Sequence, residues 1–181
     1  MARLDPLTPE QLDDSQRALY DSIVTGPRAG PGLTDERGSL RGPFDPLLRS
    51  PAIGDALQQL GAVIRYKGAL PADLRELAVL MAAGHWRCGF ELAVHGRIAT
   101  SVGVDPTVVA AIRAGEPAEP EAGTPQRLVH DAALELFASR RLSDDTYASL
   151  ISTLGEAQTL ELLVVFGYYS TLAMVMEGFE I

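Results

Sequence analysis

Apolar residues recur at spacings of three and four along most of the chain, which is the period of a helix with one buried face. No segment of useful length alternates with the two-residue period of a β-strand. Glycine, proline and short polar clusters separate the periodic segments. The pattern predicts an all-α fold, with helices over residues 8–25, 51–67, 71–84, 88–101, 106–115, 125–141, 145–155 and 156–179.

Two irregular segments interrupt this pattern. Residues 26–46 are rich in glycine and proline and predict a loop, and the apolar Leu40 and Leu47 indicate that its second half packs against the protein. Residues 115–125 predict an exposed acidic linker. With 181 residues the chain has the length of one domain, so we predict a single helical domain over residues 1–181.

Composition and charge exclude several classes of partner. The formal net charge is −9 and no cluster or stripe of lysine and arginine is present, so nucleic-acid binding has no electrostatic support. The N-terminus lacks the apolar core of a signal peptide. The most apolar run, residues 162–176, is shorter than the roughly 20 residues that a membrane span needs. We therefore predict a cytoplasmic protein that binds neither nucleic acid nor a membrane.

The polar chemistry is concentrated in residues 74–104, which hold the single cysteine and two of the three histidines. Cys88, Glu91 and His95 follow one another at spacings of three and four, so their side chains share one helix face. Each has an ordinary structural explanation, because a lone cysteine is commonly a small buried apolar residue and a glutamate–histidine pair can be purely intrahelical. With Glu76 on the preceding helix, the combination favours a functional site, since burying these groups is costly.

A break near Gly84 and the bulky pair His85–Trp86 is predicted to separate the helix that carries Glu76 from the next one. Cys88 then lies in the first turn of the second helix, where the helix dipole lowers a thiol pKa. Two histidines and one cysteine at this spacing do not match a zinc site, and no phosphate-binding loop or nucleophile elbow is present. These observations predict an acid/base site that needs neither a metal nor a cofactor.

The order of Glu76, Cys88-Gly-Phe-Glu91 and His95 resembles the carboxymuconolactone decarboxylase and alkylhydroperoxidase AhpD-like superfamily. In its peroxidase branch, a glutamate precedes a CxxC motif and a histidine four residues after the second cysteine; here Glu91 stands in place of that cysteine. In its decarboxylase branch, a glutamate, a leucine, two variable residues and a histidine correspond to Glu91-Leu-Ala-Val-His95. The chain therefore resembles the longer decarboxylase-like members.

This resemblance implies an AhpD-like bundle of paired antiparallel helices that assembles as a homotrimer or homohexamer. It also implies cofactor-independent decarboxylation of a small carboxylated lactone or related ring acid. His95 would serve as general acid/base, because its pKa lies near neutrality, and Glu91 or Glu76 would orient its ring. The substrate would meet apolar walls formed by Trp86 and Phe90 and a carboxylate-binding arginine, either Arg87 or one of Arg75 and Arg97.

Two other functions stay open. A thiol-dependent peroxidase would use Cys88 as a thiolate beside Glu76 and His95, although a single cysteine would need an external thiol to complete its cycle. A non-catalytic helical oligomer that binds a small acid would need neither chemistry. Outside this region, His130 has no second polar residue on its helix face, which indicates a surface or core-edge position rather than a catalytic one.

Overall fold

The computed structural model describes residues 2–181, and helices account for nearly all of its regular structure. Within these residues the β-type pairing is limited to one isolated antiparallel bridge between Thr34 and Leu40, so the predicted all-α class is confirmed. A 3₁₀ turn at Pro9–Gln11 precedes the α-helices. These are α1 (Asp14–Val24), α2 (Phe44–Leu47), α3 (Pro51–Tyr66), α4 (Ala72–Trp86), α5 (Gly89–Ser101), α6 (Pro106–Ala114), α7 (Pro125–Ser139) and α8 (Asp144–Phe179).

Contacts within the chain group the described residues into two compact units. The first contains the residues up to Gly68 together with Val175–Ile181, and the second contains Ala69–Met174. Helices α1 to α3 belong to the first unit, whereas α4 to α7 and most of α8 belong to the second. The single domain over residues 1–181 stays a prediction.

The N-terminal helix is shorter than the sequence pattern predicted. Instead of one helix over residues 8–25, the 3₁₀ turn ends at Leu12 and α1 begins after Asp13. The Asp13 carboxylate accepts the Gln16 backbone N–H at 2.8 Å, and the Gln16 side chain accepts the Asp13 N–H at 3.1 Å. Because this capping box requires an extended backbone at Asp13, the helix must start afresh there.

The core of the first unit joins α1 to the end of the predicted loop. Leu19, Tyr20 and Ile23 of α1 form a buried cluster with Leu40 and Leu48. The prediction that the second half of residues 26–46 is packed is therefore confirmed, and α2 forms within it. The buried Asp45 carboxylate stabilises this arrangement, because it accepts the Leu7 N–H at 2.8 Å and pairs with Arg49 at 3.0 Å.

Helix α3 turns part of its apolar face outward. Ile53 and Leu60, which share one apolar face in the sequence, are 61% and 40% exposed. The buried side instead carries Gly54, Gln58, Gly61 and Ile64. Glycine at position 54 allows the helix to approach α2 closely, since a Cβ there would lie 2.6 Å from the Leu47 carbonyl oxygen.

Helix α4 is the central element of the second unit. It contacts α5, α6 and α7, and every residue from Glu76 to Ala83 is buried. A helix covered on all sides is apolar all round, which explains why its sequence lacks a strong polar face. The helix continues through Trp86 and ends at Arg87, so the break that we predicted near Gly84 lies three residues later.

The last helix, α8, is interrupted where the sequence predicted. Gly155 has φ 75° and ψ 173°, a backbone conformation that favours glycine and separates residues 144–154 from 156–179. The helix is long and apolar enough to cross a membrane by length and composition, but half of its most apolar window is buried inside the protein. Core helices of soluble proteins pass the same test, so this helix by itself does not indicate a membrane span.

Two helical glycines predict opposite effects of an added methyl group. We expect Gly54→Ala to lower the free energy of unfolding by about 1–3 kcal/mol, because the new Cβ collides with the Leu47 backbone. In Gly167→Ala the added Cβ meets nothing within 4 Å. This substitution should raise the free energy of unfolding by roughly 0.5–1 kcal/mol, because alanine has the higher helix propensity. Chemical denaturation of both variants measures the difference. Equal effects would show that close packing does not decide the residue at position 54.

Candidate acid/base site

Three of the predicted site residues come together in the second unit. His95 Nδ1 lies 2.7 Å from Glu76 Oε2, and His95 Nε2 lies 3.1 Å from Glu91 Oε2. All three side chains are buried. One imidazole is therefore held between two carboxylates in the interior of the protein.

A one-residue turn places the two helices that carry this cluster. Arg87 adopts a left-handed conformation with φ 54° and ψ 31°, and the Cys88 N–H donates to the Ala83 carbonyl at 2.9 Å. This pattern ends α4 in the manner of a Schellman motif. Cys88 is then the N-cap of α5, and Glu91 and His95 follow at a spacing of four residues on that helix.

The hydrogen-bond count indicates the protonation state of His95. A neutral imidazole has one N–H, so one of its nitrogens would direct a lone pair at a carboxylate oxygen. A protonated ring donates to Glu76 and Glu91 at once. Burial is the largest single influence on the pKa of His95 and lowers it, but the hydrogen bonds and charges of the two carboxylates together outweigh burial and raise that pKa.

Arg75 completes the charge balance. Its Nε lies 3.6 Å from Glu76 Oε1, and its side chain is largely buried. Two carboxylates, one imidazolium and one guanidinium therefore leave the cluster without net charge. This balance matters because an uncompensated charge in a protein interior is strongly unfavourable.

The structure places the other predicted site residues as follows. Cys88 is only 1% exposed and lies one helical turn before Glu91. Phe90 and Trp86 are half-buried; the Trp86 ring packs edge-on against His85, and its buried indole N–H has no hydrogen-bond partner within residues 2–181. Arg87 is exposed on the turn, so Arg75 is the arginine that reaches the cluster.

Sequence reasoning missed one aromatic neighbour of His95 and left two positions open for His130. The ring of Tyr169 on α8 stands at 80° to that of His95, with centroids 5.0 Å apart. The polar interruption of the apolar run 162–176, which begins with Tyr168 and Tyr169, was the signal in the sequence. His130 takes a buried position at the edge of the core rather than one on the surface, and its Nδ1 lies 2.9 Å from Asp131, the next residue rather than one on its own helix face.

No group of three or more histidine, cysteine, aspartate and glutamate side chains within residues 2–181 has an arrangement that could hold a metal ion. In the cluster described above, both ring nitrogens of His95 already face carboxylate oxygens. The residues present are therefore suited to holding and moving a proton.

Comparison with known proteins agrees with this architecture. Residues 51–135 match the model of the carboxymuconolactone decarboxylase family. The matched segment includes Glu76, Cys88, Glu91 and His95. By this match, which covers 85 of the 181 residues, the chain is similar to members of the carboxymuconolactone decarboxylase family. No curated protein matches it.

Solved structures share the AhpD-like fold. A peroxidase-related protein described as an AhpD core, from Ralstonia eutropha JMP134, covers 99% of this chain and 90% of its own with a TM-score of 0.74 at 16% identity. A peroxidase-related protein from Silicibacter sp. TM1040 has the same coverage, a TM-score of 0.70 and 15% identity. An Agrobacterium tumefaciens protein of unknown function, described as a putative antioxidant defence protein AhpD, covers 77% of this chain and 96% of its own, with a TM-score of 0.62 and 16% identity. At these identities the likeness concerns the fold.

The geometry predicts how His95 titrates. We expect its titration midpoint, followed by NMR of the imidazole, to lie above the ordinary value of 6.5. Glu91→Gln should lower the midpoint, because one charge and one charge-assisted hydrogen bond are lost while burial remains. A midpoint that is unchanged in this variant would contradict the assigned role of Glu91.

The same shift determines a dependence of stability on pH. Since the pKa of His95 is higher in the folded than in the unfolded chain, its stabilising contribution is complete below about pH 6.5 and is lost as the pH rises through the folded-state value. The free energy of unfolding should therefore fall more steeply with rising pH in the wild type than in Glu91→Gln. Denaturant unfolding of both proteins, below pH 6.5 and above the folded-state titration midpoint of His95, provides the measurement.

Proposed function

We propose that this protein is a cofactor-independent lyase that decarboxylates a small carboxylated lactone or a related ring acid by general acid/base catalysis. The observation that carries this proposal is the contact of Glu91 with His95 Nε2 at 3.1 Å while Glu76 holds Nδ1. A carboxylate thus occupies the position at which the peroxidase-like motif has its second cysteine. The arrangement supports proton transfer rather than a dithiol cycle.

The proposed reaction uses the proton of the buried imidazolium. When the bond between the ring carbon and the carboxylate breaks, CO₂ leaves and its bonding electrons enter an extended enolate. His95 transfers its Nε2 proton to Glu91, and Glu91 delivers that proton to the substrate carbon. A proton from solvent then restores the imidazolium, so the net change is the replacement of the carboxylate by hydrogen with release of CO₂.

Electrostatics favours this direction of proton transfer. Developing negative charge on the enolate is stabilised near an imidazolium in a site from which water is excluded. Glu76 keeps the ring oriented through Nδ1, and Arg75 compensates its charge at 3.6 Å.

A thiol-dependent peroxidase is the second possibility, and two observations favour it. Cys88 caps the N-terminus of α5, where the helix dipole stabilises a thiolate, and two of the similar structures are described as peroxidase-related. Against it, the chain has a single cysteine, so a peroxidase cycle would need an external thiol to complete it.

Two substitutions separate these activities. If the lyase proposal holds, Glu91→Gln keeps the shape of the side chain but removes its charge, and turnover of a carboxylactone should fall by about 10²–10⁴-fold. Cys88→Ser should be milder, because a hydroxyl can replace a thiol that serves only as a wall or a donor. Both variants are assayed for carboxylactone turnover and for thiol-dependent peroxide consumption.

The reverse order would support the peroxidase. In that case Cys88→Ser abolishes peroxide consumption, because a hydroxyl cannot replace the nucleophilic thiolate, and Glu91→Gln remains close to normal. Absence of both activities in the wild type, with bound small acids detected by calorimetry, would support the non-catalytic alternative instead.

We also propose that the protein is a homotrimer or homohexamer, and α3 supports self-association. Ile53, Ala56, Leu60 and Val63 form an exposed apolar stripe on this helix. We expect Leu60→Glu to shift the species seen by sedimentation towards the monomer without loss of helical content. Ser149→Glu adds a charge at an exposed position away from α3 and should leave the assembly intact. A wild type that sediments as a monomer at micromolar concentration would refute the proposal.

A further inference from the structure

The second unit contains a cavity of about 600 Å³ that the proposed chemistry does not use. It lies between α4, the end of α6, the residues that follow α6, and α7. Glu76, Cys88, Glu91 and His95 are not among its lining residues. We refer to it as the His130 cavity, after the buried histidine in its lining.

His130 is held in one orientation by its neighbours. It is only 5% exposed, and its Nδ1 lies 2.9 Å from Asp131 Oδ1. Arg127 Nε in turn donates to both carboxylate oxygens of Asp131, at 2.8 and 2.9 Å. Because a carboxylate only accepts, neutral His130 carries its proton on Nδ1, and Nε2 is left as a hydrogen-bond acceptor.

Two aromatic rings also line the cavity. The rings of His85 and Phe137 stack with centroids 4.5 Å apart and an angle of 10° between their planes. Both residues line the cavity, together with the exposed Leu134. This aromatic lining suits a planar ring, which can pack against the edges or an outer face of the stacked pair.

The charges of the lining select against an acid. Glu116, Glu119 and Asp131 supply three carboxylates and Arg127 one guanidinium, so with neutral histidines the lining has two more negative than positive charges. The Arg127 guanidinium is already paired with the Asp131 carboxylate. A carboxylate ligand would thus meet net repulsion, in contrast to the acidic substrate proposed for the His95 site.

From this combination we propose that the His130 cavity is a second binding site, for a small planar aromatic compound with a cationic N–H donor and no carboxylate. The donor binds His130 Nε2, the ring packs on His85 and Phe137, and the positive charge complements the acidic lining. The proposal does not depend on the reaction at His95.

Benzamidine and benzoate are matched probes, because they have similar size and shape but opposite charge. The ¹⁵N-labelled protein is titrated with each, and the imidazole nitrogens of its histidines are followed by long-range ¹H–¹⁵N NMR. We expect the free protein to show the Nδ1–H form of His130. Benzamidine should cause saturable shifts at His130 and His85, and benzoate should not.

Two variants test the origin of binding. Asp131→Asn removes one negative charge from the lining and weakens the hydrogen bond that orients His130, so the Kd for benzamidine should rise about tenfold or more. Asp144→Asn removes the same charge at an exposed position outside the cavity and should leave the Kd unchanged. His85→Ala removes one of the two stacked rings of the lining and should also weaken binding. Because His85 is exposed, this substitution should leave the fold intact.

The proposal is overturned by any of three results. These are the absence of saturable shifts with benzamidine at millimolar concentration, equal binding of benzoate, and an unchanged Kd in both Asp131→Asn and His85→Ala. Glu91→Gln leaves this cavity intact, so loss of catalysis in that variant with normal benzamidine binding separates the two sites.

Discussion

The buried imidazole of His95, held between two carboxylates, is the interaction on which the second unit depends. Glu76 and Glu91 come from different helices, so the hydrogen bonds at 2.7 and 3.1 Å link α4 to α5 in the middle of an apolar region. Burial opposes the charge of each group, and only their mutual compensation, with Arg75, makes the arrangement favourable. Removing one member leaves the others buried with incomplete partners, which ties structural integrity and proton chemistry to the same atoms.

The local part of this site could be predicted from the sequence, whereas its tertiary part could not. The spacing of Glu91 and His95 already requires a shared helix face. N-capping residues and terminating glycines also predict where most of the helices begin and end. The partnership of Tyr169 with His95 joins residues more than seventy positions apart, and no local pattern encodes it. For a related reason, the apolar spacing of Ile53 and Leu60 does not identify the buried face of α3, because both residues are exposed. Its glycine face packs inside because of close contact with α2, and its larger apolar residues remain outside.

The second unit contains two histidine environments with opposite electrostatic character. At His95, both ring nitrogens are occupied and the surrounding charges cancel, which favours a retained proton. At His130, a single carboxylate fixes Nδ1 and leaves the other nitrogen available in an acidic cavity. In the two proposals the same residue type therefore serves as a proton donor in one place and as a hydrogen-bond acceptor in the other. The number of neighbouring carboxylates and their positions determine the difference.

The turn at Arg87 has a consequence for how this chain can vary in length. Each residue of an α-helix is rotated by about 100° from the one before it. One residue inserted between Trp86 and Cys88 would either lengthen the turn or rotate α5, and rotation would carry Glu91 and His95 away from Glu76. The spacing between α4 and α5 therefore sets the angular phase of the cluster. The exposed residues 29–32 of the irregular segment before α2 carry no such restriction, so insertions and deletions in related chains should accumulate there and be rare at Arg87.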